Sequence, residues 1–155
     1  MNVARIYTRT VVSIPRSHTL QQAARLMRHY HVGALLVTED EPDVDRAIGI
    51  VTDRDLVVQA MAEGVHPGEL TVDGVMTPEI AGVTENADAH EAMVTMRDLG
   101  VRRLAVTGDG GAVVGILSLD DIVDAMAIEM ENLAGVIRSE RGREIEQRSD
   151  AVRVR

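Results

Sequence analysis

The chain has 155 residues, which predicts a single domain, and 45% of them are hydrophobic, enough for a sizeable core. A net charge of -9, with two Tyr and no Phe or Trp, argues against binding to nucleic acids or to anionic membrane surfaces. There is no Cys for a disulfide or a thiolate metal site, no signal peptide, and no apolar run long enough to cross a membrane. We therefore expect a cytoplasmic protein.

The first half of the chain predicts an extended opening segment, a helix, two strands and a second helix. Apolar residues recur with a helical period from Leu20 to Tyr30, after a capping residue that is either Ser17 or Thr19. Short apolar strands are predicted at residues 34–38 and 48–51. The second helix begins near Asp53 and ends in the Gly- and Pro-containing stretch 62–68.

The second half repeats the first. Val32 corresponds to Val101, an offset of 69 residues, and Gly49 corresponds to Gly115, an offset of 66. The offset falls because the polar loop between the two strands is three residues longer in the first half. The turn "TGDGG" at residues 107–111 predicts a hairpin in the second half. The sequence therefore predicts a duplicated unit.

The last predicted helix continues beyond the second repeat. Its apolar positions are spaced by four, four, three and four residues and are Ile122, Met126, Met130, Leu133 and Ile137. A second copy of the chain is the expected cover for this stripe, although the stripe could instead fold back on its own domain. Residues 138–155 are mostly charged and contain Gly142, so we expect fraying there.

Three sequence features together resemble paired cystathionine-beta-synthase (CBS) domains, also called a Bateman module. They are the doubled stretch "GIVTDRDLV" (49–57) and "GILSLDDIV" (115–123), "VMTP" at 75–78, and "GVRRLAV" at 100–106. The resemblance covers about residues 3–128. It implies an α/β (α+β) fold of two β-α-β-β-α repeats packed about a pseudo-two-fold axis, with an extended C-terminal helix. The expected boundaries are 3–68, 69–128 and a helical extension at 129–155.

The doubled motif also has chemistry that suits a nucleotide. The hydroxyl of Thr52 or Ser118 and the nearby backbone amides lie at a helix start, where phosphate groups bind well. One helical turn further on, Asp55 or Asp121 can accept two hydrogen bonds from a ribose diol. The alternative is that the hydroxyls are only helix caps and the acids ordinary first-turn residues.

The resemblance implies two composite clefts, each built from the motif of one repeat and the opening segment and first strand of the other. The first cleft would use Ile50, Thr52, Asp55, Met76, Ala81, Val101, Arg102 and Arg103. The mirror cleft would use Tyr7, Val12, Val32, Gly33, Ile116, Ser118 and Asp121. The two clefts differ because Arg102 and Arg103 have no cationic counterparts in the first repeat, and because "IYTR" stands where the second repeat has "VMTP".

The expected function is that of a stand-alone regulatory protein without catalytic residues. Its ligand would be AMP, ADP or ATP, with S-adenosylmethionine, NAD or a dinucleotide signal as further candidates, and no cofactor is required. It would act as a homodimer on an unidentified protein partner. The competing hypotheses are an adaptor with an empty cleft and a metal-dependent hydrolase. His29 and His31 lack further recognisable ligands, so surface or packing roles are expected for them.

Overall fold

A computed structural model describes residues 1–40 and 47–153, in two compact units, Met1–Ser118 and Leu119–Arg155. In the first unit, the first repeat forms β1 (Ser13–Pro15), α1 (Leu20–Tyr30), β2 (Ala34–Thr38), β3 (Ala47–Thr52) and α2 (Asp53–Leu56). The second repeat forms β4 (Thr77–Pro78), β5 (Gly82–Thr84), α3 (Ala89–Leu99), β6 (Arg103–Thr107) and β7 (Val113–Ser118). The second unit is α4 (Leu119–Arg153). The predicted difference in loop length falls at residues 41–46, outside the described part of the chain.

The two repeats build separate sheets with the same internal pairing. In each sheet the short first strand is parallel to the second, and the second is antiparallel to the third. Ala34 pairs with Thr52 in one sheet, and Arg103 pairs with Ser118 in the other. Both sheets also have an irregularity at the end of the central strand, before Thr38 and before Thr107. The mixed α/β fold and the internal duplication are confirmed.

The opening segment of each repeat pairs with a strand in the sheet of the other repeat. Strand β4, which opens the second repeat, pairs with β3 and becomes the fourth strand of the first sheet, with Thr77 opposite Ile50. In the reverse direction, Thr8 forms a bridge with Ile116 of β7, through N–H···O distances of 2.9 and 3.1 Å. This exchange ties the motif of one repeat to the opening segment of the other.

Two equivalent glycines make room for the exchanged segments. A Cβ atom on Gly49 would lie 2.7 Å from the sulfur of Met76 and 2.9 Å from the carbonyl oxygen of Thr77. A Cβ atom on Gly115 would lie 2.6 Å from a backbone oxygen of the Thr8 segment and would collide with the Tyr7 ring. Real Cβ atoms do not approach other atoms this closely, so each strand needs glycine at the crossing point.

Helix α1 is fixed at its start by a capping box. The Thr19 hydroxyl accepts a hydrogen bond from the Gln22 amide, and the Gln22 side chain accepts one from the Thr19 amide. Thr19, rather than Ser17, is therefore the cap. The helix buries Leu20, Ala23 and Met27 in the core of the first repeat, together with strand residues Ile14, Leu35, Val37 and Val51.

The predicted second helix of the first repeat is only partly α-helical. After α2 the chain continues as a π-helical turn, Val57–Met61, which buries Ala60 and leaves Val57 and Met61 exposed. A π turn widens a helix locally and is often found near functional sites. Residues 53–61 are called the α2 segment below.

Helix α4 differs from the expectation for the tail. We expected fraying from Arg138 onward, but the structure continues the helix through Arg153. The residues of this stretch are mainly Glu, Arg and Gln, which favour helix, and Arg143 donates a hydrogen bond to Ser139 one turn away. Its length does not make it a membrane segment, because none of the helices in the described part of the chain is apolar enough over a sufficient length.

Candidate functional site

A cleft in the first unit brings the motif of the first repeat against the loop and strand that begin the core of the second. Its volume is about 260 Å³. The lining residues are Ile50, Thr52, Asp53, Arg54, Asp55, Thr77, Gly100, Val101, Arg102 and Arg103. Six of the eight residues predicted for the first cleft are therefore in its wall. Both repeats contribute to it, because β3 and α2 supply one side and the α3–β6 connection supplies the other.

Thr52 and Asp55 form a reciprocal capping box at the start of α2. The Thr52 backbone N–H and hydroxyl donate to Oδ2 of Asp55 at 2.8 and 2.7 Å. The Asp55 amide donates to the Thr52 hydroxyl oxygen at 3.3 Å. The helix-cap interpretation of these two residues is therefore correct locally. The capping box engages only one oxygen of the carboxylate, because Oδ1 of Asp55 has no hydrogen-bond partner among the described residues.

The backbone amides at the start of α2 already have partners in the chain. The Asp53 amide donates to the carbonyl oxygen of Gly33 at 3.2 Å, and the Arg54 amide donates to Oδ1 of Asp53 at 2.8 Å. With the Asp55 amide bonded to Thr52, the first three N–H groups of the helix are engaged. The sequence had suggested these amides as phosphate donors. In the structure, the cationic side chains of the cleft are the available donors.

Three guanidinium groups line the cleft. Arg54 and Arg102 are exposed, and Arg103 is half-buried at the start of β6. Across residues 1–40 and 47–153, none of the three makes an ion pair within 4.0 Å. An anion bound here would therefore gain charge-assisted hydrogen bonds without breaking existing ones in the described chain.

Arg103 reaches across to the first repeat at Gly33. The Cβ position of Gly33 is 3.3 Å from a terminal guanidinium nitrogen of Arg103 and 3.2 Å from Oδ2 of Asp53. Gly33 was predicted for the mirror cleft, but it borders residues of the first. Its missing side chain lets the Arg103 guanidinium and the Asp53 carboxylate approach the same point.

Two residues predicted for the first cleft do not line it. Met76 is half-buried, covers Gly49 on β3 and packs against the core of the first repeat. Ala81 is half-buried, and its carbonyl oxygen accepts a hydrogen bond from the Ala105 amide at 2.8 Å.

The sequence prediction missed four lining residues: Asp53, Arg54, Thr77 and Gly100. Asp53 and Arg54 lie between Thr52 and Asp55 in the motif of the first repeat. Thr77 belongs to the "VMTP" stretch, so its position could have been inferred from that motif. Its pairing with Ile50 depends on the strand exchange, which leaves no periodic signal in the sequence.

The residues of the predicted mirror cleft come from both repeats. Tyr7 lies over Gly115, next to Ile116, and Arg9 stacks on the Tyr7 ring with its guanidinium carbon 5.2 Å from the ring centroid. A hydrogen bond from Arg9 to the Tyr7 hydroxyl, 3.3 Å long, raises the pKa of Arg9. Val12 and Val32 are partly buried and pack against the core of the first repeat.

The remaining two residues of the mirror cleft end the second repeat. Ser118 is the last residue of β7, and Asp121 lies in the first turn of α4, in the second unit.

His29 and His31 lie at the end of α1 in a basic pocket rather than in a cluster of metal ligands. With Arg25 and Arg28 they border an open pocket of about 410 Å³. The His29 ring packs edge-to-face on Tyr30 at 4.7 Å. Within residues 1–40 and 47–153, no three His, Cys, Asp or Glu side chains are grouped as a metal site requires.

Comparison with known proteins gives one family. The sequence model of the CBS domain matches residues 3–61 and 72–128. An uncharacterized protein of Methanopyrus kandleri is 30% identical over 123 residues, which cover 79% of this chain and 61% of that protein. Hypoxic response protein 1 of Mycobacterium tuberculosis is 34% identical over 112 residues, covering 72% of this chain and 76% of that protein.

Solved structures show the same relationship. Hypoxic Response Protein I, whose crystal structure holds two coordinated zinc ions, superimposes with a TM-score of 0.66 at 31% identity, covering 81% of this chain and 98% of that one. A Burkholderia ambifaria protein with CBS domains, proposed to act in signal transduction, gives 0.70 at 28%, covering 80% and 90%. A hexameric CBS-CP12 protein from bloom-forming cyanobacteria gives 0.71 at 28%, covering 79% and 66%.

Proposed function

Because the chain belongs to the CBS-domain family, we propose that it is a regulatory protein that binds an adenine nucleotide in the cleft between its repeats. One observation carries the proposal. The cleft is lined by the Asp55 carboxylate, whose Oδ1 has no hydrogen-bond partner among the described residues, and by Arg102 and Arg103 of the other repeat. A ligand with a diol at one end and phosphate groups at the other matches that arrangement.

The carboxylate end of the cleft suits a ribose. Oδ2 of Asp55 is held by the amide and hydroxyl of Thr52, which fixes the plane of the carboxylate. Oδ1 remains as an acceptor for a sugar hydroxyl. Ile50 and Val101 line the same cleft and would contact the base through aliphatic surface.

The arginines favour phosphorylated ligands over the other candidates. Three guanidinium groups and two carboxylates line the cleft, so its net charge is positive although the whole chain carries -9. AMP, ADP and ATP bring negative charge to these groups, and NAD brings two phosphates. S-adenosylmethionine brings a sulfonium cation and no phosphate, so it fits less well. The adenine mononucleotides therefore remain the leading ligands.

The second candidate function is that of an adaptor that acts through its helices and binds no nucleotide. It is favoured by the large exposed side chains along α4 and the α2 segment, such as Met61 at 76% and Met130 at 65% exposure. Exposed apolar surface of this kind is typical of protein interfaces. We propose a homodimer in either case, and the hexameric cyanobacterial relative shows that related chains assemble.

A ligand panel distinguishes the two functions. Thermal unfolding is measured with AMP, ADP, ATP, adenosine, S-adenosylmethionine and NAD, each at millimolar concentration. A nucleotide at about 100 times its Kd adds about 2.7 kcal/mol to the free energy of unfolding, which raises Tm by several degrees. If no ligand changes Tm and calorimetry detects no heat of binding, the nucleotide proposal fails and the adaptor function replaces it.

A further inference from the structure

An apolar groove runs between α1 and the α2 segment on the first unit. Its volume is about 340 Å³, and almost all of its surface is carbon or sulfur. Its floor and walls come from α1 (Leu20, Gln21, Ala24, Met27), the α2 segment (Asp53, Leu56, Val57, Ala60, Met61) and Pro67. Met61 is 76% exposed and Val57 is 52% exposed at its rim. A groove of this kind fits the apolar face of a helix.

The α1 side of the groove has a basic border. Arg25 and Arg28 follow Ala24 and Met27 on the helix, are exposed, and form a pocket with His29 and His31. Helix α1 contains no Asp or Glu. The chain as a whole has a net charge of -9, but this border is basic, so it favours a binding partner with acidic side chains.

Helix α4 carries the complementary surface. Its exposed apolar residues recur at intervals of three, four, three and four: Val123 (56%), Met126 (49%), Met130 (65%), Leu133 (60%) and Ile137 (53%). This spacing forms a continuous seam on a helix. Exposed acids accompany the seam at Asp120, Asp124, Glu129 and Glu131, and no Lys or Arg occurs between residues 119 and 137.

The lengths also agree. The 11 residues of α1 extend about 16 Å at 1.5 Å per residue. The seam from Val123 to Leu133 extends about 15 Å by the same rise. The apolar seam, with its flanking acids, therefore matches the length of the helix that forms the basic side of the groove.

We propose that helix α4 of a second copy of this chain lies in the groove between α1 and the α2 segment, so that each copy both gives and receives a helix. The inference deepens the proposed homodimer by choosing its arrangement, and in that respect it rests on the proposed function. The alternative arrangement pairs like elements. That would place Arg25 and Arg28 against their own copies and the acids of α4 against acids, which is unfavourable at both contacts.

The absence of Cys from the sequence allows a clean cross-linking test. Gln21→Cys places a thiol in the groove, and Ala127→Cys places one beside the seam of α4. The two full-length variants are co-expressed with tags of different size and treated with a flexible bismaleimide. Ala112→Cys, in the β6–β7 turn, is the matched control, to be co-expressed with either variant.

The expected result is a cross-link between the Gln21→Cys and Ala127→Cys chains that exceeds those formed by either variant alone or with the control. Cross-linking of Gln21→Cys chains to one another at the same yield would overturn the arrangement, as would the absence of a cross-link in the mixture. A nucleotide thermal shift on the same samples keeps the two ideas separate. If ATP raises Tm but no cross-link forms, the proposed function stands and the proposed helix exchange is wrong.

Charge reversal supplies an independent readout of the same contact. Arg25→Glu/Arg28→Glu should raise the dimer Kd about tenfold, because two rim pairs become repulsive in each of the two grooves of the dimer. Adding Glu129→Lys/Glu131→Lys in the same chain should restore the dimer, since each groove again meets opposite charges. If sedimentation equilibrium gives the same dimer Kd for the wild type and for both sets of charge reversals, the proposal is wrong.

Discussion

Removing the Arg103 guanidinium should separate phosphate recognition from nucleoside recognition. Arg103→Met keeps an apolar side chain of similar length and removes the charge and donors. Arg103 is half-buried in the cleft, and its guanidinium has no ion-pair partner among the described residues. The substitution therefore breaks no ion pair there, and the free energy of unfolding of the ligand-free protein should change little.

The magnitude follows from the bonds that would be lost. A hydrogen bond between a charged donor and a charged acceptor contributes about 1.5–3 kcal/mol, which corresponds to about 10- to 150-fold in Kd. Partial exposure places the expected value in the lower half of that range. Adenosine has no phosphate, so its Kd should stay within about twofold of the wild-type value.

Isothermal titration calorimetry with ATP, AMP and adenosine measures these values directly. Arg97→Met is the matched control, because Arg97 is an exposed arginine on α3 that pairs with Asp98 and does not line the cleft. An equal loss for ATP and adenosine would show that Arg103 supports the cleft structure rather than the phosphates. An equal loss in the Arg97→Met control would show that the effect comes from net charge alone.

Three further changes test other parts of the structure. Asp55→Ala should raise the Kd for ATP, AMP and adenosine by one common factor of about 10 to 150, since all three ligands present the same ribose diol. Calorimetric Kd values that diverge with the number of phosphates would contradict a diol contact at Asp55. Gly115→Ala should lower the free energy of unfolding by about 1–3 kcal/mol, because the new methyl group meets the Tyr7 ring, and urea unfolding should show this as a lower midpoint at unchanged m; an unaltered midpoint would refute the close crossing. The hydrogen bond from the His90 amide lowers the pKa of Asp88, so the Asp88 carboxylate stabilises the fold above its ordinary pKa of 3.8 and stabilises it less as the pH falls below that value. The difference in Tm between wild type and Asp88→Asn should therefore shrink on acidification below pH 3.8. A difference in Tm that stays constant would contradict this role of Asp88.

Local patterns in the sequence were sufficient to predict most of the elements. The helical period from Leu20 to Tyr30 matches α1, and residues 34–38 match β2. The doubled motif placed Thr52 at a helix start with Asp55 one turn further on, and in the structure the two residues form a capping box there. These features depend on neighbours in the chain, which is why they can be predicted from one sequence.

The features that were missed depend either on contacts between distant residues or on local factors that the sequence pattern does not display. Strand β4 has only two residues, so no alternation of polar and apolar side chains marks it as the fourth strand of the first sheet. The engagement of the α2 amides depends on a carbonyl from Gly33 and a carboxylate from Asp53. The continuation of α4 beyond Arg138 reflects the helix propensity of its Glu, Arg and Gln residues, which outweighs the effect of Gly142.

The α2 segment connects the two surfaces that the proposals use. Its first turn supplies Asp53, Arg54 and Asp55 to the cleft, and its later residues supply Leu56, Val57 and Met61 to the groove, with Asp53 lining both. In the proposed dimer, a ligand that orders the first turn would change the freedom of a short segment whose other end contacts the partner helix. Because coupling between two binding sites is reciprocal, a nucleotide that favours the dimer must bind the dimer more tightly by the same factor. One segment therefore contributes residues to both the cleft and the proposed dimer surface, and a sensor needs such a connection between its ligand site and its partner site.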